Sequence, residues 1–367
     1  MPDKLSYHNL VNYGDADPAK VMAQQEGVAT AGNLPFGFTE VPGTRGESAH
    51  VVDIGDGTHI ASVQEGLGTK SVIARAIYEA TGVSHFGAVA QDTVASVIDD
   101  LISSGATPAV INAYWSSSSY DWLTDPKLAT DFIKGWRAAC DAVPVTWGGG
   151  ETQSLPGIII DDELEFAGSA WGVIRDKRRL VQGRNLQPDD AVVLLESSGV
   201  HANGISLIRK IAAGLPDGYD TQLTDGTKLG ETVLKPTHLY ARVVTALLDA
   251  EFDVHYLSNI TGHGWRKLMR AEPDLTYRMH TMPPVEPVFD FIAEQSGNDA
   301  HEMYGTFNMG AGYAIYLPQT HAAAACDIAA EHGLQAWQAG TVEAGPKQVI
   351  IEPLNLVFDA ASLAVRK

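Results

Sequence analysis

The chain has 367 residues, 45% hydrophobic and 19% charged, with a formal charge of −20, which gives enough apolar material for two domains and opposes binding to nucleic acid or an anionic membrane. Its two cysteines, Cys140 and Cys326, lie far apart in apolar helical runs and read as buried thiols rather than a disulfide or metal pair. With no basic-then-apolar leader pattern and no bilayer-length apolar run, a cytoplasmic protein is expected.

Residues 1 to about 48 are rich in Gly, Pro, Asn and Asp and read as an extended arm with one short helix near Pro18 to Gln25. His50 to Ile54 and Thr58 to Val63 form a predicted hairpin around Gly55-Asp56-Gly57. The second strand leads into Gln64 to Lys70, where Gly66 and Gly68 allow close backbone approach and Thr69 and Lys70 offer a hydroxyl and a cation at a helix start. The spacing is not that of a Walker A loop, so the stretch is either a phosphate loop or an ordinary strand-to-helix turn.

From Asp92 the pattern predicts a helix with Val94, Val97, Ile98, Leu101 and Ile102 on one face and Asp92, Ser96, Asp99 and Ser103 on the other. The acidic side is either a solvated face or a row of metal-facing carboxylates. A strand over Ala109 to Trp115 follows, then a helix over Lys127 to Val143 and the turn Gly148-Gly149-Gly150-Glu151-Thr152. Glu165 to Ile174 is another strand, so the first half alternates strands and helices in an α/β manner.

The charged segment Arg175 to Asp190 is the predicted linker, separating the arm 1–48 and a domain over 49–175 from a second domain over 176–367. Beyond it, the strand Ala191 to Leu195 feeds Ser197-Ser198-Gly199-Val200-His201-Ala202-Asn203-Gly204 at the start of a helix, a second anion cradle in which His201 either meets a ligand or caps local backbone. Pro236 to Leu248 reads as helical. Asn259-Ile260-Thr261-Gly262-His263-Gly264 before Arg266, Lys267 and Arg270 is a third anion-friendly place. Thr306 to Gly312 enters the strand Tyr313 to Leu317, and the tail holds a helix over Thr320 to His332 and a strand over Lys347 to Glu352.

Taken together these loops resemble aminoimidazole ribonucleotide synthetase, the phosphoribosylformylglycinamidine cyclo-ligase family of purine synthesis. The matching pieces are Glu65 to Lys70, Asp99-Asp100 with Gly105 to Pro108, Gly149 to Thr152 with Leu155 to Gly157, Ala167-Gly168, Ser197 to Gly204, Pro236-Thr237, Ile260 to Gly262, and Glu302 to Gly310. They run in collinear order from about residue 60 to about 315.

The resemblance implies a two-domain α/β (α+β) fold whose N-terminal domain pairs through β-sheet in a homodimer. It implies an ATP-dependent ligase acting on a phosphorylated small molecule, with Mg²⁺ and possibly K⁺. On that basis His201, Asn203 and Lys70 are expected at the chemistry. Glu65, Gly66, Gly68, Thr69, Lys70, Asp100, Gly149, Gly150 and Glu151 are expected at ATP. Ser198, Gly199, His201, Asn203, Thr261, Gly262 and Asn308 are expected at the substrate, and Asp92, Asp99, Asp100 and Glu151 at metal.

Against the family pattern, Glu65 stands where Asp is usual, Asp99 where Asn is usual, and Ala113, Asn259, His263 and Gly305 replace Asp, His, Gly and Arg. A related phosphoryl-transfer enzyme with another acceptor, or a non-catalytic nucleotide-binding paralogue, is the alternative reading.

Overall fold

Helix α3 (Phe86–Ile102) lies between two β-sheets and decides how the halves of the chain meet. The computed structural model describes residue 5 and residues 13–363; the expected arm lies partly outside the described residues. Before α3 come α1 (Tyr13–Ala29), β1 (Thr39–Glu40), β2 (His50–Asp53), β3 (His59–Gly66) and α2 (Lys70–Thr81). After it come β4 (Thr107–Ser117), α4 (Asp121–Thr124), α5 (Pro126–Ala142), β5 (Thr146–Ser154) and β6 (Leu164–Ile174). The strands form one sheet in the order β1-β2-β3-β6-β4-β5. Only the β4–β5 pair is parallel, so this half is an antiparallel α+β layer rather than a βαβ array.

Local chemistry accounts for several boundaries. Asp125 caps α5 by accepting from the amides of Lys127 and Leu128, and Pro126 supplies the first helical turn. Gly82, at φ 71°, ends α2 in the left-handed region. Under the sheet, Trp115, Trp122, Phe132, Trp136 and Phe166 pack as one aromatic cluster, with the rings of Phe132 and Phe166 stacked at 4.2 Å.

The C-terminal half holds β7 (Asp190–Glu196), α6 (Ile205–Gly214), α7 (Leu229–Val233), α8 (Ala241–Asp249), β8 (Tyr256–Asn259), β9 (Leu275–Met279), α9 (Pro287–Ser296) and α10 (Ala300–Thr306). It ends with β10 (Ala311–Pro318), α11 (Ala322–Glu331), β11 (Ala336–Ala344), β12 (Gln348–Ile351) and β13 (Leu356–Asp359). Its sheet order is β13-β12-β9-β11-β7-β10-β8, antiparallel except for β12 against β9. Strand β7 is buried along most of its length, as its continuous apolar run requires.

Two expectations change. The polar side of α3 is neither solvated nor open, because Asp92 and Asp99 are each 1% exposed and covered by the C-terminal half. Pro236 to Tyr240 is not helical; α8 begins at Ala241, after α3 carboxylates take the amides of Thr237 and Tyr240. Among the described residues no helix is long and apolar enough to cross a membrane.

Candidate active site

The site is built where β3 ends, α3 ends and three loops of the C-terminal half converge. Gly66 closes β3, and Gly68 adopts φ 81° before α2 starts at Lys70. A Cβ added at Gly66 or Gly68 would meet nothing within 4 Å, so the backbone of this loop faces open space. Thr69, the residue before α2, makes no side-chain cap, which leaves the helix N-terminus available to an anion.

Lys70 itself does not face that space. It is fully buried, with Nζ 2.7 Å from Asp92 Oδ2, and it donates to the carbonyls of His201 at 2.9 Å and Lys235 at 3.0 Å. Its ammonium is engaged inside the protein, a correction to its expected role as a phosphate contact. Burial raises the carboxyl of Asp92 and lowers the ammonium of Lys70, and their mutual contact opposes both shifts.

The expected metal ligands are not assembled. Asp92 is occupied by Lys70 and by the amide and hydroxyl of Thr237. Asp99 accepts from the amide of Tyr240 at 3.1 Å, and burial raises its carboxyl well above the usual range. Glu151 lies on edge strand β5 in the transverse row Gly66–Ala167–Tyr114–Glu151. Three strand spacings put it about 14 Å from Gly66, and Gly149 and Gly150 share that distant position. Among the described residues no group of three or more His, Cys, Asp or Glu side chains could hold a metal ion.

What does gather beside the glycine loop is a mixed charge cluster. Asp100 accepts from Asn259 Nδ2 at 2.9 Å, joining the end of α3 to β8. Glu65 is pushed up to about 7, first by burial and then by the charge of Asp100, while Lys267 and Arg270 pull it down. Lys267 donates to Thr261 Oγ1 at 2.6 Å; burial brings its ammonium down to about 8, against the carboxylates of Asp100 and Glu65. The sequence marks Lys267 only as one of three basic residues after the third glycine loop. In the structure Gly264–Met269 is a 3₁₀ turn, from which Arg270 turns to Glu47 and Gly46, and Arg266 to Ser362 and Gly305. Arg266 thus reaches the place where the family pattern puts an arginine at 305. His263, where a glycine is usual, is driven down to about 3 by burial and by the neighbouring cations Lys267, Arg266, Arg270 and Lys20, which favours its neutral ring.

The Ser197–Gly204 loop carries a strained residue. His201 is 4% exposed at φ 55°, a region few side chains adopt, and its Nε2 accepts from the amide of Ser198 at 3.2 Å. Burial first, then the charges of His238 and Lys70, hold its imidazole well below the usual range, so it is a neutral ring. Of the two expected roles of His201, the structure shows the capping of local backbone. Ser198 Oγ donates to the Pro236 carbonyl at 2.6 Å. Asn203 is buried beside it, and a Cβ at Gly204 would sit 2.1 Å from the ring of Phe307.

Asn308, expected at substrate, is fully buried and works as a scaffold: it accepts from Ser197 Oγ at 3.0 Å and donates to the carbonyl of Gly199 at 2.8 Å. Two neighbours escaped sequence reasoning. Tyr240 Oη donates to the Glu196 carbonyl at 2.7 Å, and a Cβ at Gly312 would meet Tyr240 Oη at 1.9 Å and His201 Cε1 at 2.6 Å. The signal available for Gly312 was its place in a glycine-spaced run before a buried strand.

The open glycine loop before α2 and the loops that converge on it belong to a two-domain α/β fold, and the family comparison agrees. Residues 46–174 match the N-terminal domain and residues 187–352 the C-terminal domain of the AIR synthase related proteins, and the chain belongs to that family. It is 34% identical over 278 residues to the phosphoribosylformylglycinamidine cyclo-ligase of Methanothermobacter thermautotrophicus, covering 74% of this chain and 77% of that one. The Methanococcus maripaludis protein of the same name is 29% identical over 338 residues, covering 91% of this chain and 93% of the relative. In structure the chain is similar to one from a HypE–HypF complex, with a TM-score of 0.61, 16% identity and coverage of 92% and 99%. It is also similar to T. maritima PurL complexed with ATP, at 0.52, 17%, and coverage of 84% and 44%. The structural likenesses define the two-domain α/β fold.

Proposed function

We propose that this chain is an ATP-dependent cyclo-ligase that converts formylglycinamidine ribonucleotide to aminoimidazole ribonucleotide with release of ADP and phosphate. The observation that carries the reading is the 34% identity, over three quarters of both chains, to a relative of that name. ATP phosphorylates the amide oxygen of the substrate, turning a poor leaving group into a good one.

This chain's own residues then have positioning and charge to supply. Gly66, Gly68 and Thr69 present an open backbone and a helix N-terminus to phosphate. Asp100, held by Asn259, with Glu65 beside it, is the carboxylate near the loop that would hold Mg²⁺, which would neutralise phosphate charge. Ser198, Gly199, His201 and Asn203 orient the reacting end of the substrate, with His201 acting as a neutral ring. Thr261 and Gly262 take its ribose phosphate, with Lys267 as the adjacent cation.

A homodimer pairing through the N-terminal sheet belongs to the same reading. Strand β5 forms one edge of that sheet and is exposed along most of its length, and Ile158 and Ile160 just beyond it are 76% and 77% exposed. An open edge of this length invites pairing with a second copy. A cytoplasmic location and K⁺ as an additional cation are part of the same reading. Incubation of the purified chain with formylglycinamidine ribonucleotide, ATP and Mg²⁺, with and without K⁺, is expected to yield aminoimidazole ribonucleotide and ADP in equal amounts. Lack of product under every metal condition overturns the assignment.

A further inference from the structure

We propose that Lys70 and Asp92 form a buried clamp that positions the His201 loop and the Lys235–Thr237 segment against the start of α2, making Lys70 a positioning residue rather than a phosphate contact.

An ammonium group has three donors. That of Lys70 donates to the carbonyls of His201 and Lys235 and forms an ion pair with Asp92 Oδ2 at 2.7 Å, all inside the protein. The other carboxylate oxygen of Asp92 accepts from the amide of Thr237 at 2.8 Å and from its hydroxyl. Next to it, Gln91 Nε2 donates to the Thr237 carbonyl at 2.8 Å, and Ser198 Oγ closes the ring through the Pro236 carbonyl. Consecutive residues of α3 thus hold both polar groups of the Thr237 backbone, while the first residue of α2 holds two carbonyls from the C-terminal half.

The clamp has a definite mechanical consequence. His201 sits at φ 55°, which is strained for a side-chain-bearing residue and persists only where its surroundings hold it. Its carbonyl is the one Lys70 holds. Because Lys70 follows directly on the Gly66–Thr69 loop, the same side chain ties that loop's helix to the His201 loop, across 131 residues of sequence. A buried ion pair adds little net stability compared with an apolar pair of similar size. Orientation of backbone, not stability, is what this pair supplies.

The functional part rests on the cyclo-ligase reading; the structural part does not. Lys70→Met alone strands a buried carboxylate, so the Lys70→Met/Asp92→Leu double variant of the full chain carries the test, with Asp92→Asn as the conservative second variant. Ligand-free amide hydrogen exchange over residues 197–204 and 235–240 is compared with the ATP KM and kcat. The expected result is a folded protein in which both segments exchange at least ~10-fold faster, kcat falls ~100-fold and the ATP KM moves less than about 3-fold. An ATP KM raised ~10-fold or more with exchange unchanged restores Lys70 to the phosphate and overturns the clamp. Unchanged exchange with unchanged kinetics overturns it as well. If the wild-type chain makes no aminoimidazole ribonucleotide, the cyclo-ligase reading fails and the exchange measurement alone decides the clamp.

Discussion

Asn308 donates its side-chain amide to the carbonyl of Gly199 at 2.8 Å in a place with no solvent access. Its Oδ1 holds Ser197 Oγ, so one side chain shapes the entry to the His201 loop. Asn308→Ala leaves buried polar groups without partners and is expected to destabilise the chain by about 2–3 kcal/mol. Asn308→Asp, which aims a carboxylate oxygen at the Gly199 carbonyl, is expected to be at least as damaging. Urea denaturation of both variants checks this, and midpoints equal to wild type would remove Asn308 from the scaffold.

Gly312→Ala places a methyl group 1.9 Å from Tyr240 Oη and 2.6 Å from His201 Cε1. Both rings must move, and turnover is expected to fall ~10-fold or more with a smaller change in stability. Combining it with Tyr240→Phe removes the shortest contact, leaving ring Cζ at 2.9 Å, and is expected to recover part of the loss. No recovery would place the damage elsewhere.

His201→Ala is expected to lower turnover more than ATP affinity. Since burial, His238 and Lys70 hold the His201 imidazole well below its ordinary range, its titration adds no limb to the pH–rate profile near neutrality. The rate profiles of wild type and His201→Asn, taken from pH 6 to pH 8 as an approximate working range, are expected to share one shape. A limb near pH 6.5, where a free histidine titrates, that vanishes in the variant would contradict a neutral His201.

His255 tests the electrostatics away from the site. Burial lowers its pKa, but hydrogen bonds and charge from Asp190, 2.6 Å away, and Asp253, 3.2 Å away, outweigh burial and raise it overall. A raised folded-state value means that the protonated ring stabilises the fold. That contribution is fully present below the unfolded value of about 6.5 and is lost as pH rises through the folded value. The gap in thermal midpoint between wild type and His255→Gln is therefore expected to be wide at about pH 5.5 and to narrow as pH rises above neutrality. A gap that widens with pH would reverse the sign of the argument.

Phe132→Ala opens the aromatic cluster where its ring stacks on Phe166, and is expected to cost about 3–5 kcal/mol by denaturant unfolding. The cluster adjoins the glycine loop, because the Phe166 carbonyl accepts from the Leu67 amide at 2.8 Å; Phe132→Ala leaves that backbone bond in place, so ATP affinity at low temperature is expected to stay near wild type. A large affinity loss in the folded variant would show that the cavity reaches the loop through Phe166.

Much of the local structure was legible because its causes are local. The hairpin around Gly55 to Gly57, the helix expected over Lys127 to Val143, and the glycine loops all depend on residues a few positions apart. Periodicity also placed Asp92 and Asp99 on one side of α3. It could not say what covers that side, because a helix repeat records which residues share a face and not what the face meets. Read in isolation, the row suggested solvent or metal; in the structure it meets the amides of Thr237 and Tyr240, in a stretch that is not the helix its composition suggests.

The order of glycine loops and their polar residues, a property of the chain alone, determined the family and hence the chemistry proposed for it. The division of labour within the site was decided only by folding. Lys70 and Glu151 both sit beside glycines in sequence and looked like partners at phosphate and metal. Strand order carries Glu151 about 14 Å along the sheet, while interdomain packing buries Lys70 against carbonyls 131 and 165 residues away. Hydrogen-bond partners at such separations are set by tertiary contact, and no local pattern encodes them.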